Sequence, residues 1–305
     1  MINRLKGSNE VNDLEDIRFI DIDAATIASQ HPDALYELYH SKKHGFLIRN
    51  FLSPEELSKL QQYALQNHGL QVAKTDVGYT FPMIFQEFSL RNQALEGAAL
   101  EAASKQYFES NEDFNHNFFQ TTGVDLYGKI NLLFQSLGGG RKVEVPQGVN
   151  GYGRYLFGNF RHLHPKGGLM SVHCGNFFGT KFELIYRHLC ERIKVVNQMS
   201  YFVMIQKPDE GGQLSVFNLR WVPGQTKSQL SEDEVVLLSN GAKLKIDEDS
   251  RVKRLDLLPE PGDMILFQGG NIWHRVAKVF GTKERITFGG FMGIQKDEST
   301  FFYWT

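Results

Sequence analysis

The chain has 305 residues, 41% hydrophobic and 22% charged, with a formal net charge of −2. These figures fit one large globular domain or two small ones, and they exclude the basic excess of a nucleic-acid-binding protein. Cys174 and Cys190 are too few for a disulfide framework, Met1 to Glu10 lacks the apolar core of a signal peptide, and no apolar run approaches the roughly 18–20 residues that span a bilayer, so a cytoplasmic protein without membrane contact is expected.

In chain order, residues 18–22 read as a first strand, 24–40 as a helix and 45–51 as a second strand. Ser53 can cap the next helix, with Pro54 in its first turn, Glu56 completing a capping box and Gly69 at its end. Two more helices are expected at about 93–109 and 120–136, closed by Gly138-Gly139-Gly140. From about 143 the pattern changes to short strands at 152–157, 168–174, 200–206, 213–218, 263–268, 272–279 and 285–294, with one helix at about 180–195. Many short strands between turn signals predict a sandwich or jelly roll. Residues 223–260 form a long polar connection, expected to cover the active site.

The chemistry concentrates in the second half. In a strand, residues i and i+2 share a face. His173 and Gly175 stand in that relation after the apolar Leu169 to Val172, while Cys174 points to the opposite face and is not read as a ligand. Ferrous iron takes two His and one carboxylate as a facial set, leaving three positions for cosubstrate and oxygen. Here the acid's position holds Gly175, and no Asp or Glu occurs between Glu144 and Glu183 to replace it nearby. The second histidine is His274, on a strand after the Pro261-Gly262-Asp263 turn. Arg285 opens the following strand and offers a two-pronged match to the distal carboxylate of 2-oxoglutarate.

Together these residues predict iron held by His173 and His274, with 2-oxoglutarate on Arg285. Any one of these histidines alone reads more readily as a packed or surface residue than as a ligand. His162 and His164 are another same-face pair and suit a zinc hydrolase, but Pro165 and Gly167-Gly168 follow at once and favour a turn. Trp221 and Phe160 are candidates for a substrate pocket or for the core.

Several segments carry a resemblance: Val143-Glu144-Val145-Pro146, His173-Cys174-Gly175-Asn176, Gly211-Gly212-Gln213-Leu214, Pro261 to Phe267, His274-Arg275-Val276 and Gly289-Gly290-Phe291. From about residue 17 to the aromatic tail Phe302-Tyr303-Trp304, the chain resembles the iron/2-oxoglutarate carbon halogenases. It is most similar to the freestanding type that acts on hapalindole and welwitindolinone alkaloids. The resemblance implies a mostly β protein with flanking helices, a double-stranded β-helix (cupin-like jelly roll). It implies a single domain over 1–305, with a helical part at about 1–140 and a jelly-roll core at about 143–305.

It also implies Fe(II) on His173 and His274, 2-oxoglutarate held by Arg285, O2 as co-reactant, and chloride or bromide at Gly175 in place of the carboxylate. Asn176 is a candidate to orient the halide and Arg275 a candidate donor near it; a turn cap and a surface salt bridge are equal alternatives. The substrate implied is a freestanding small molecule of natural-product biosynthesis, with no carrier protein, nucleic acid or membrane as partner. A hydroxylase or desaturase with water at Gly175, and a non-catalytic cupin-like binding module, stand as alternatives.

Overall fold

The computed structural model of the protein describes residues 16–66, 73–75, 77–176, 187–227, 235–238 and 241–305. The capping signal at Ser53 opens the helix Pro54–Leu65: Ser53 N donates to the Glu56 carboxylate at 2.8 Å and Glu56 N to Ser53 Oγ at 3.3 Å. Gly69, expected to end it, lies outside the described residues. The helix expected over 24–40 is two short pieces, Ile27–Gln30 and Ala34–Tyr39. Pro32 explains the break, because it lacks an amide donor and disfavours helical geometry at the residue before it. The next long helix, Gly97–Thr122, ends at Gly123 in the left-handed conformation, and Asp125 caps Leu126–Leu137 by accepting from Gly128 N. Among the described residues no helix is long and apolar enough to cross a membrane.

The architecture is mostly sheet with flanking helices. A ten-stranded sheet runs in the order Phe19–Asp23, Gly45–Arg49, Met264–Phe267, Ile193–Gln206, Arg285–Gln295, Asn159–Leu163, Gly78–Phe81, Ala73–Thr75, with Thr300–Trp304 and Lys142–Glu144 attached at its side. The first part of the chain is therefore not only helical, since four of its strands join the C-terminal ones. A four-stranded sheet follows the order Arg254–Leu257, Leu214–Arg220, Ile272–Val276, Met170–His173.

Strand alternation sorts the side chains of the large sheet. Phe46, Ile48, Met264, Leu266, Ile286 and Phe288 join the cluster to which the helices contribute Leu35, Leu60, Phe118 and Phe134. Leu47, Ile265 and Phe267, pointing the other way, meet Leu214, Val216, Leu257 and Ile272 of the small sheet. The functional cavity opens between the two sheets, lined by residues of both.

Three expectations change. Residues 152–157 form no regular strand; Arg154 makes one isolated bridge to Gln147, and the strand is Asn159–Leu163. His162 is thus a strand residue rather than part of a turn. Of the helix expected at about 180–195, the described part is Arg187–Arg192, and Ile193 already begins the long strand; residues 177–186 lie outside the described residues.

The 223–260 segment is the third. Its described residues include a small sheet of Thr226–Lys227, Val235–Leu237 and Lys243–Lys245, and the strand Arg254–Leu257 on the edge of the four-stranded sheet. Val236, Leu238, Leu244 and Ile246 pack on Val172, Cys174, Phe217, Leu219 and Trp273. Cys174 and Trp273 alternate with His173 and His274 along their strands, so this layer backs the site instead of covering its mouth.

Candidate metal centre

His173 and His274 sit opposite each other on adjacent antiparallel strands, with ring centroids 4.3 Å apart. Each Nδ1 lies on the carbonyl two residues back in its own strand, His173 on Ser171 O at 2.7 Å and His274 on Ile272 O at 2.8 Å. A carbonyl only accepts, so each Nδ1 carries the proton and each Nε2 the lone pair. That is the tautomer a metal-binding imidazole needs, fixed by its outer partner. Burial, helped by the charge of Arg161 and opposed by the bond to Ile272, pulls His274 down to about 4, so it is neutral at pH 7. The Phe267 ring packs edge-on against it at 4.9 Å.

The pair opens into a cavity of about 440 Å³ whose lining includes Gly175, Arg161, Arg285, Gln198, Met170 and Phe202. No Asp or Glu appears among the described residues that line it. Among the described residues, no three or more His, Cys, Asp or Glu side chains gather as a metal cage. Gly175 faces the cavity, and a Cβ there would stand 2.4 Å from Gln198 Nε2 and 3.0 Å from Gly270 Cα. A carboxylate-bearing residue would not fit without displacing Gln198.

Arg285 is 2% exposed. Its Nε donates to Gly212 O at 2.8 Å and its guanidinium lies over the Phe202 ring at 5.2 Å. Gly212 must be glycine here: its φ is +69°, and a Cβ would come within 3.0 Å of Arg285 Cδ. Among the described residues no carboxylate pairs with Arg285, and burial together with Arg161 lowers its pKa to about 9. The flanks of Arg285 are pinned. Asp209 accepts from Thr282 N at 2.7 Å and Thr282 Oγ1 at 2.8 Å, and Glu284 holds His162 at 2.8 Å and His164 at 3.3 Å.

Among the described residues His162, His164 and Glu284 do not gather as a metal-holding group, so nothing supports the zinc-hydrolase reading of this pair. Their rings are engaged by one carboxylate, and Tyr79 stacks on His162 at 4.2 Å. Two other candidates are not brought to the cavity. Asn176 Nδ2 donates to Asn197 Oδ1 at 2.9 Å, and Asn176 Oδ1 accepts from Asn197 N at 2.6 Å. Arg275, next to His274, is turned outward by strand alternation; it grips Asp247 with two bonds of 2.7 and 2.8 Å and lies over Phe217. Trp221 packs on the backing layer and Phe160 in the main core.

Arg161 and Gln198 went unremarked in the sequence. Arg161 sits opposite Thr287, lines the cavity, and sets Nη1 on Met170 Sδ at 2.7 Å. Once Asn159–Leu163 is known as a strand, Arg161 falls two residues from Leu163, the partner of Arg285, and so on the same face.

Two imidazoles with Nδ1 fixed, in one cavity with a buried guanidinium that no carboxylate pairs among the described residues, fit a divalent metal and a small dicarboxylate. Solved structures share the fold across nearly the whole chain. An N-substituted L-amino acid dioxygenase from Burkholderia ambifaria AMMD is 16% identical with a TM-score of 0.54, covering 92% of this chain and 91% of that one. Its complex with alpha-KG aligns at 16% identity and a TM-score of 0.51, with the same coverage. No curated protein sequence matches the chain.

Family and fold together make this an iron- and 2-oxoglutarate-dependent oxidoreductase. Within that class, the chain belongs to the family described as carrier-protein-independent halogenase WelO5, whose sequence profile matches residues 16–305. The non-catalytic binding module is thereby set aside.

Proposed function

We propose that this protein, acting as one domain built on a double-stranded β-helix, replaces a hydrogen on an unactivated aliphatic carbon of a freestanding small molecule with chlorine. The observation that carries this reading is Gly175 facing the cavity beside the His173 and His274 pair, with no acid among the described lining residues.

Iron bound with 2-oxoglutarate, oxygen and chloride supplies both the oxidising power that removes the hydrogen and the halogen that replaces it. The overall change balances: substrate C–H, chloride, O2, 2-oxoglutarate and a proton become C–Cl, succinate, carbon dioxide and water. His173 and His274 hold the metal through Nε2, with the Ser171 and Ile272 carbonyls keeping both rings in register. Arg285 takes the distal carboxylate of 2-oxoglutarate, its Nε already fixed by Gly212. Arg161 adds a second positive charge on the same wall.

Electrostatics favours an anion over water at Gly175. A dication, two guanidiniums and two neutral imidazoles meet only the two negative charges of 2-oxoglutarate, so the centre keeps an excess of positive charge. In a partly dry cavity that excess is strongly felt, and chloride reduces it. Met170, Phe202 and Phe291 give the cavity an apolar wall that suits a hydrocarbon skeleton.

The test is the product. With Fe(II), 2-oxoglutarate, O2 and an accepted substrate, mass spectrometry should find a monochlorinated product in chloride buffer and its bromo analogue in bromide. A product carrying only hydroxyl under saturating chloride would overturn the reading in favour of a hydroxylase.

A further inference from the structure

Gln198 is the polar side chain nearest the place where Gly175 lacks one. It is 6% exposed and lines the cavity, and its Nε2 lies 2.4 Å from where a Gly175 Cβ would stand. Its carboxamide makes no hydrogen bond among the described residues, whereas its backbone carbonyl accepts from Gly270 N at 2.6 Å. The carboxamide is therefore turned to the cavity, uncommitted to another side chain among the described residues and able to donate to a bound group.

The backbone around it is clasped. Gly175 N and Asn176 N donate to Gly269 O and Gly270 O, each at 2.8 Å. Asn176 also exchanges two side-chain bonds with Asn197, the residue before Gln198. Three chain segments are thereby locked together, and Gln198 is held against Gly175.

We infer that Gln198 is an anion-contact residue: its Nε2 donates a hydrogen bond to the halide at the position left by Gly175. An amide N–H is a donor suited to a bare anion, and a hydrogen bond to a charged acceptor is stronger than a neutral one. Gly175 and Gln198 form a matched pair, since any side chain at 175 must push the amide aside. The inference rests on the halogenase reading above.

The test is an anaerobic titration of the Fe(II)–2-oxoglutarate complex with sodium chloride, followed by its visible absorption band. Wild type is compared with Gln198→Met, Gln198→Asn and Gly175→Ala. Iron and 2-oxoglutarate should bind all four proteins alike. The chloride Kd should rise about tenfold to hundredfold in Gln198→Met, the range for a hydrogen bond to a charged group. Gly175→Ala, which displaces the amide without adding a ligand, should weaken chloride in the same direction.

An unchanged chloride Kd in Gln198→Met overturns the inference. If Gln198→Met does not fold, unchanged values in both Gln198→Asn and Gly175→Ala overturn it. Loss of iron in Gln198→Met would make the residue a metal ligand through Oε1, which also overturns the donor role. A wild-type band that ignores chloride refutes the halogenase reading itself, a result distinct from all of these.

Discussion

His173 and His274 face each other as a direct antiparallel pair, and each donates a hydrogen bond from Nδ1–H to a carbonyl of its own strand. The strand pairing alone thus supplies both the spacing and the tautomer of a two-histidine centre. Replacing either histidine by alanine should abolish stoichiometric Fe(II) binding while leaving the fold intact. Metal analysis after dialysis, with circular dichroism alongside, checks this; full iron occupancy in either variant would remove that histidine from the centre.

Arg285 is positioned by Gly212 O through Nε, which leaves its terminal nitrogens toward the cavity. Arg285→Lys keeps the charge but loses the fork and the Nε bond. The Kd for 2-oxoglutarate should rise about tenfold to hundredfold, the range for losing charge-assisted hydrogen bonds. Arg161→Met should weaken it less. Titration of the iron complex with 2-oxoglutarate measures both.

Filling this charged site should stabilise the fold. Iron with 2-oxoglutarate at about 100 times Kd contributes about 2.7 kcal/mol, and the midpoint of thermal unfolding should rise. Removing the metal with a chelator should return the midpoint to that of the apo protein. Arg285→Lys should need far more 2-oxoglutarate for the same rise.

Glu284 joins two histidines beside Arg285. Its carboxyl is held below the usual range, first by the hydrogen bond from His162 and further by His164, against the opposing effect of burial. A depressed carboxyl contributes stability above its unfolded pKa and loses it as pH falls through the folded value. Glu284→Gln should therefore destabilise the protein by about 1 kcal/mol at pH 7. The gap from wild type should close as the pH drops below about 4, where the unfolded carboxyl protonates. Chemical unfolding at both pH values measures this; a gap that widens in acid would reverse the sign.

Trp273 is fully buried in the layer behind the histidines, and its Nε1 donates to Gln225 Oε1 at 3.1 Å. Trp273→Ala should cost about 3–5 kcal/mol of stability, as large core truncations do. If the 223–260 segment were instead a cover over the cavity mouth, this change would leave global unfolding almost untouched. Urea denaturation distinguishes the two.

The site was legible wherever local pattern and chemistry coincide. His173, Gly175, His274 and Arg285 could be read because strand alternation is a period-two rule and the residue types are chemically specific. Arg161 was hidden by a misplaced strand boundary, and Gln198 by having no motif around it. Only the Gly270 and Asn176 contacts, which are long-range, aim it at Gly175. Of the two readings open for Arg275, the structure shows the salt bridge, to Asp247, because neighbours in a strand face opposite ways and His274 takes the cavity side. The 223–260 segment reads as a cover because it is a long, polar, charge-rich connection. Four of its apolar residues, Val236, Leu238, Leu244 and Ile246, join the cluster behind the histidines and decide where it packs.

The central claim is that Gly175 leaves the iron open to a halide. The most direct measurement is the anaerobic chloride titration of the wild-type Fe(II)–2-oxoglutarate complex beside Gly175→Asp. The wild-type absorption band should shift and saturate with chloride, and the aspartate variant should show no chloride response. A wild-type band indifferent to chloride, or an aspartate variant that responds like wild type, would contradict the account.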